Sequence, residues 1–149
     1  MPKAKKFKMG PKQRKWLSAL KSGKFIQTRG TLGRKTRDGK LKHCCLGVLC
    51  ELNIKAIKEV GWDEYTPTVK TYDDSDGNLP SHMKDLAGLY DVAGGFDGKS
   101  LLPPERRQEF DKLVKQLDSL AEVNDTSRSY DKVIEIISKF PEAVFIRSA

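Results

Sequence analysis

At 149 residues with 38% hydrophobic content, the chain has the size of one ordinary domain and can bury roughly two thirds of its unfolded surface. Its 28 Lys+Arg against 20 Asp+Glu leave a net charge of +8, which points to an anionic partner: nucleic acid, a nucleotide or an acidic protein surface. No run reaches the roughly 18–20 apolar residues of a membrane helix, and no apolar stretch follows the basic start as in a secretory signal. The expectation is a soluble intracellular protein with no membrane partner.

The charge is unevenly placed. Residues 1–43 hold 15 basic residues and one acid, Asp38, for +14, whereas residues 44–149 carry −6. Residues 1–10, with Lys3, Lys5, Lys6 and Lys8, show no helical periodicity and predict a flexible basic arm ahead of a single domain over 11–149. Pro11 suits the first position of a helix running to about Ser22 and closed by Gly23. Trp16, Leu17 and Leu20 share its inner face, and Lys12, Arg14, Lys15 and Lys21 its outer one. Phe25–Thr28 and Leu41–His43 are expected to pair as strands, with Asp38-Gly39 as a turn. Between them lies Arg29-Gly30-Thr31-Leu32-Gly33-Arg34-Lys35, then Arg37; its two glycines allow close backbone approach and its cations favour phosphate. This Gly-x-x-Gly is similar to the loop of KH RNA-binding domains.

His43 to Leu52 concentrates three cysteines, four large aliphatics and a glycine. Cys45, Leu49, Leu52, Ala56 and Val60 step at helical spacing, so a buried central helix over about 45–60 is expected, stopped by Gly61. Val69 and Tyr72 among threonines predict an edge strand, and Asp73 to Asn78 a solvated turn. A short helix from Ser81 is followed by a Gly94–Gly98 loop read as a lid or contact. A long helix opens at Pro103-Pro104 and runs to about Leu120; Asn124–Ser127 breaks it. A last helix carries Tyr130, Val133, Ile134, Ile137 and Phe140 to Pro141, and Val144–Ile146 is read as a final strand. These elements describe an α+β fold: one compact domain, four to five helices around the central helix, with a small, mostly antiparallel sheet.

An odd number of cysteines, two of them adjacent, argues for a reducing compartment rather than a disulfide framework. Adjacent cysteines do not converge on one ion, so neither a metal nor another cofactor is expected. Cys44 and Cys45 are the candidate nucleophiles, because a helix N-terminus favours a thiolate. The one later histidine, His82, sits in a turn rather than on a strand, and free cysteines also serve as small buried hydrophobes. No carboxylate pair stands in an apolar context suited to acid–base work.

Trp16 to Phe25, Gly30-Thr31-Leu32, the Cys44–Cys50 run Cys-Cys-Leu-Gly-Val-Leu-Cys, Leu79-Pro80 through Gly88-Leu89, and Leu117 to Ile137 together resemble a family of small tailed-bacteriophage proteins. The resemblance implies a viral accessory protein acting in the host cytoplasm, on host machinery or defence, and implies no mechanism. The functional expectation is therefore a non-enzymatic protein that binds nucleic acid, or a host machine containing it. Its basic contacts are Lys3, Lys5, Lys6, Lys8, Lys12, Arg14, Lys15, Arg29, Arg34, Lys35 and Arg37, with a host protein as the other partner. Two alternatives stand beside it: an anti-defence protein that sequesters a signalling nucleotide through Arg29, Gly30, Arg34 and the Gly94–Gly98 loop, and a cysteine-dependent hydrolase using Cys44 or Cys45.

Overall fold

The apolar block at the centre of the chain has no polar face to offer solvent, so it must be surrounded. In the computed structural model, which describes residues 7–149, it forms α2 (Cys45–Leu52), and every residue from Cys45 to Cys50 is buried. The helix is half the expected length. Asn53 leaves the helical region (φ −119°, ψ 34°), and its side-chain amide donates to the Leu49 carbonyl at 2.9 Å, a local bond that competes with helix continuation. A single 3-10 turn at Ile54–Ala56 follows. Val60, expected on the inner face of a long helix, instead begins a strand, and Ile57 takes the buried position.

Around α2 stand α1 (Pro11–Lys21), α3 (Ser81–Ala87), α4 (Pro104–Val114), α5 (Leu120–Thr126), α6 (Asp131–Lys139) and α7 (Pro141–Val144). The four strands β1 (Gly33–Lys35), β2 (Leu41–His43), β3 (Val60–Trp62) and β4 (Val69–Tyr72) make one antiparallel sheet in the order β2-β1-β4-β3. The α+β class is as expected; the seven helices among the described residues exceed the expected four or five. The long helix from Pro103 is cut at Lys115, whose positive φ of 57° ends α4, and Asn124, expected to break a helix, lies inside α5. Pro141 opens α7 rather than only closing α6, because a proline at the first helical position loses no hydrogen bond. Val144 therefore belongs to a helix, and Phe145 makes one isolated antiparallel bridge to Leu89 in place of a strand. The partner of β2 is β1, while Gln27 contributes one parallel bridge to His43.

Residues 7–10, assigned to the arm, belong to the folded body. The Phe7 ring stacks on Phe145 at 6.0 Å, the Ser148 hydroxyl donates to the Lys8 carbonyl, and the Gln13 N–H donates to the Ala149 backbone oxygen at 3.2 Å. Lys3, Lys5 and Lys6 lie outside the described residues.

Four neighbours and one local cap hold the start of α2. The Trp16 indole donates to the Cys45 carbonyl at 2.9 Å, and the Tyr130 hydroxyl donates to the His43 carbonyl. The Cys45 N–H, one of the unpartnered donors of a first helical turn, donates to Asn124 Oδ1 at 3.1 Å. The Cys44 N–H donates to the Leu32 carbonyl at 3.2 Å, and the Cys44 sulfur accepts from the Gly47 N–H at 3.4 Å. Gly47 is needed because β1's approach passes directly over it: a Cβ there would lie 1.8 Å from the Leu32 carbonyl oxygen. Gly47→Ala is expected to cost about 3 kcal/mol or more, since the clashing atom is backbone. Gly23→Ala, at φ +76° in open space, is expected to cost about 1–2 kcal/mol. Denaturant midpoints at an unchanged m-value would check both.

Candidate functional site

Seven of the chain's basic residues fall between Lys24 and Lys42, and the β1–β2 hairpin organises most of them. The register sets Arg34 opposite Lys42 and Lys35 opposite Leu41, so Arg34 and Lys42 project from one face of the sheet. Like charges directly opposed across two strands repel, and among the described residues neither is in an ion pair. Arg37 and Lys40 are exposed in the connecting turn. There the Asp38 carboxylate is drawn to the Thr36 hydroxyl and lies 3.9 Å from the Lys40 ammonium.

On the opposite face, His43, Gly33, Lys70 and Trp62 form one row across the four strands. Its inner end is a polar junction with α2. Glu51 Oε1 accepts from Lys70 Nζ at 2.5 Å, from the Tyr72 hydroxyl at 2.5 Å, and faces His43 Nε2 at 3.2 Å. Burial alone would raise the Glu51 carboxyl, but the donors from His43, Lys70 and Tyr72 outweigh it and hold the group at about 2. Burial and the neighbouring carboxylate push the Tyr72 phenol well up. Gly33 makes the junction possible, since a Cβ there would stand 3.2 Å from the Tyr72 hydroxyl. Lys70 is thus committed to an internal bond. The outer end of the face is open: Lys35 Nζ lies 5.8 Å from the centre of the Trp62 ring, which is 48% exposed.

The remaining expected contacts are dispersed. Lys12, Arg14 and Lys15 are exposed on the first turns of α1, about 9–14 Å along the helix from Lys21 at its other end, and the Arg14 guanidinium donates to the Met9 carbonyl. Arg29 is exposed, but the Gly30 N–H beside it donates to Asp125 Oδ1 at 2.8 Å. Gly33 is buried in β1, so the Gly-x-x-Gly backbone is not presented to a ligand as a KH loop would be. The Gly94–Gly98 loop is not a lid. Gly94, Gly95, Phe96 and Gly98 are buried, Gly94 accepts from the Leu120 N–H at 2.9 Å, and Asp97–Leu101 continues as a 3-10 turn. It packs at the start of α5, whereas Arg29 and Gly30 meet its end, so the residues assigned to nucleotide capture are not gathered.

Cys44, Cys45 and Cys50 are free and buried. Burial pushes the Cys44 thiol up to about 11 and raises the Cys45 and Cys50 thiols as well. The Cys44 sulfur is occupied as a helix cap, and Cys45 Sγ lies 3.7 Å from the Leu120 carbonyl oxygen. Neither is an activated nucleophile. No three His, Cys, Asp or Glu side chains gather to hold an ion among the described residues, and no helix there is long and apolar enough to cross a membrane.

Sequence reading missed Lys42, Lys40, Trp62 and Tyr65, and the Glu51 junction. The alternation in Val69-Lys70-Thr71-Tyr72 already puts Lys70 and Tyr72 on one face. The one edge strand expected over residues 62–74, around Val69 and Tyr72, is interior, and Trp62 stands on the edge strand β3 beside it.

The family described as a domain of unknown function (DUF8296) matches residues 9–140, and the chain belongs to it. No curated protein and no solved structure matches the chain.

Glu51 and the thiols each yield an expected outcome. The folded-state pKa of Glu51 lies below its ordinary 4.5, so its contribution is complete above that value and is lost as pH falls toward 2. It amounts to about 2–3 kcal/mol after allowance for partial exposure. Glu51→Gln should lower stability at pH 7 by a similar amount and flatten the decline below pH 4.5 in denaturant titrations. A thiol reagent at pH 8 should leave the native protein unlabelled and modify three cysteines after unfolding.

Proposed function

We propose that this member of a family without an assigned activity is a non-enzymatic nucleic-acid-binding protein whose contact surface is the β1–β2 hairpin. The observation that carries the reading is the direct opposition of Arg34 and Lys42 without an acidic partner among the described residues. Two strands that set cations against each other give up stability, and an external phosphate between them removes that cost through charge-assisted bonds. Lys35, Arg37 and Lys40 extend the positive surface around the turn. The expected basic site thus has its centre on the hairpin, with Lys12, Arg14 and Lys15 on a different element, α1. The buried, unactivated thiols and the carboxylate held by three donors favour binding over catalysis. The motif resemblance supports an accessory protein of a tailed bacteriophage working in the host cytoplasm.

Phosphate contacts of this kind bring affinity without sequence preference. Engagement of the five hairpin cations predicts a log–log salt slope of about −4.5 on a duplex and about −3.5 on a single strand. Arg34→Ala and Lys42→Ala should each reduce the slope by about 1 and weaken binding to all sequences alike. Absence of binding at about 50 mM salt, or slopes unchanged in both variants, would overturn the reading.

A further inference from the structure

The end of the sheet that holds the β1–β2 turn also holds the β3–β4 turn, because the Lys35 N–H donates to the Thr68 carbonyl at 2.8 Å. Two exposed aromatic rings stand there. Trp62, on the outermost strand, is 48% exposed, and Tyr65, in the turn that follows, is 90% exposed. Trp16, the chain's other tryptophan, is fully buried, and among the described residues the exposed large aromatic side chains are these two. The Asp63 carboxylate between them accepts from the Tyr65 and Thr66 N–H groups at 3.1 and 2.7 Å. Those bonds form the turn on which Tyr65 is displayed. Glu64 stays exposed.

Resting on the proposed function, we infer that the nucleic acid this hairpin takes is single-stranded, with bases stacked on Trp62 and Tyr65. Three features select that ligand. Exposed rings gain from unstacked bases and gain little from a duplex, whose bases already stack on each other. The Lys35 ammonium stands over the Trp62 ring, 5.8 Å from its centre, so a cation is within reach of the phosphate next to a base that stacks at that ring. The four strands span only about 14 Å across, a platform for a few nucleotides that offers no long element to a groove. Arg34 and Lys42 on one face, and Lys35 and Trp62 on the other, let one flexible strand bend around the sheet end.

The test uses the full chain with a 20-nucleotide oligo-dT, the same length of oligo-rU, and a 20-base-pair duplex, at fixed salt. Both single strands are expected to bind at least five-fold more tightly than the duplex and to change the tryptophan emission on binding, a signal that Trp62→Phe removes because Trp16 is buried. Trp62→Ala and Tyr65→Ala should each weaken single-strand binding by roughly ten-fold while leaving the salt slope and duplex binding unchanged. Tyr65 is 90% exposed, so Tyr65→Ala should keep the parent's unfolding midpoint, and the half-covered Trp62 is checked by running Trp62→Ala well below its own midpoint. Equal affinity for duplex and single strand, or Trp62→Ala binding like the parent, would overturn the stacking inference and leave the hairpin reading standing. Binding to none of the three would overturn both.

Discussion

The close crossing of the chain entering β1 over the first turn of α2 is the constraint on which the structure depends. The Leu32 carbonyl occupies the space a side chain at position 47 would need and at the same time accepts from the Cys44 N–H. One contact thus sets the distance between helix and sheet, and the bonds from Trp16, Asn124 and Tyr130 hold the helix in that place. Polar groups of a buried helix end must find partners or the fold pays their desolvation. Here each of those three comes from a different helix or its cap, which is why α1, α5 and α6 all gather at α2.

From that crossing the functional surface follows. Because β1 is drawn onto α2 by Leu32 and Gly33, the next two residues leave the core as Arg34 and Lys35, and the hairpin projects into solvent with its cations. The Glu51 junction ties the inner row of the sheet to the end of α2, holding the platform at its base while the turn end stays open. The carboxylate that neutralises Lys70 is thereby withheld from Arg34, Lys35 and Lys42. Internal pairing at one end of the sheet and unpaired charge at the other arise from the same arrangement.

The basic region read as an arm and a loop is, in its central part, a strand pair. Residues 24–43 were legible as extended, with the turn at Asp38-Gly39, but the pairing was displaced: His43 bonds to both Gln27 and β1, and sequence alternation cannot rank two partners for one strand. The lysines of α1 were legible as an outer face and are one. Their distance from the hairpin was not, because it depends on how Phe25 to Thr28 cross the molecule. The lid assigned to Gly94–Gly98 failed for a related reason. Glycines permit mobility and also permit close packing, and the chain at Leu120, Asp91 and Glu142 chose the second.

By itself the sequence determined that the chain would fold as one α+β unit around the Cys44–Leu52 block, since that run has no polar face and its neighbours have apolar stripes to cover it. It also determined where the positive charge lies along the chain. The tertiary structure alone decided where the central helix ends, because Asn53 and the strands beyond it trade helical bonds for sheet bonds of similar strength. It alone decided which cations stand together, which is neutralised by Glu51, and which tryptophan meets solvent. Those are properties of strand order and register, and charge and aromatic content are additive along a chain whereas proximity is not.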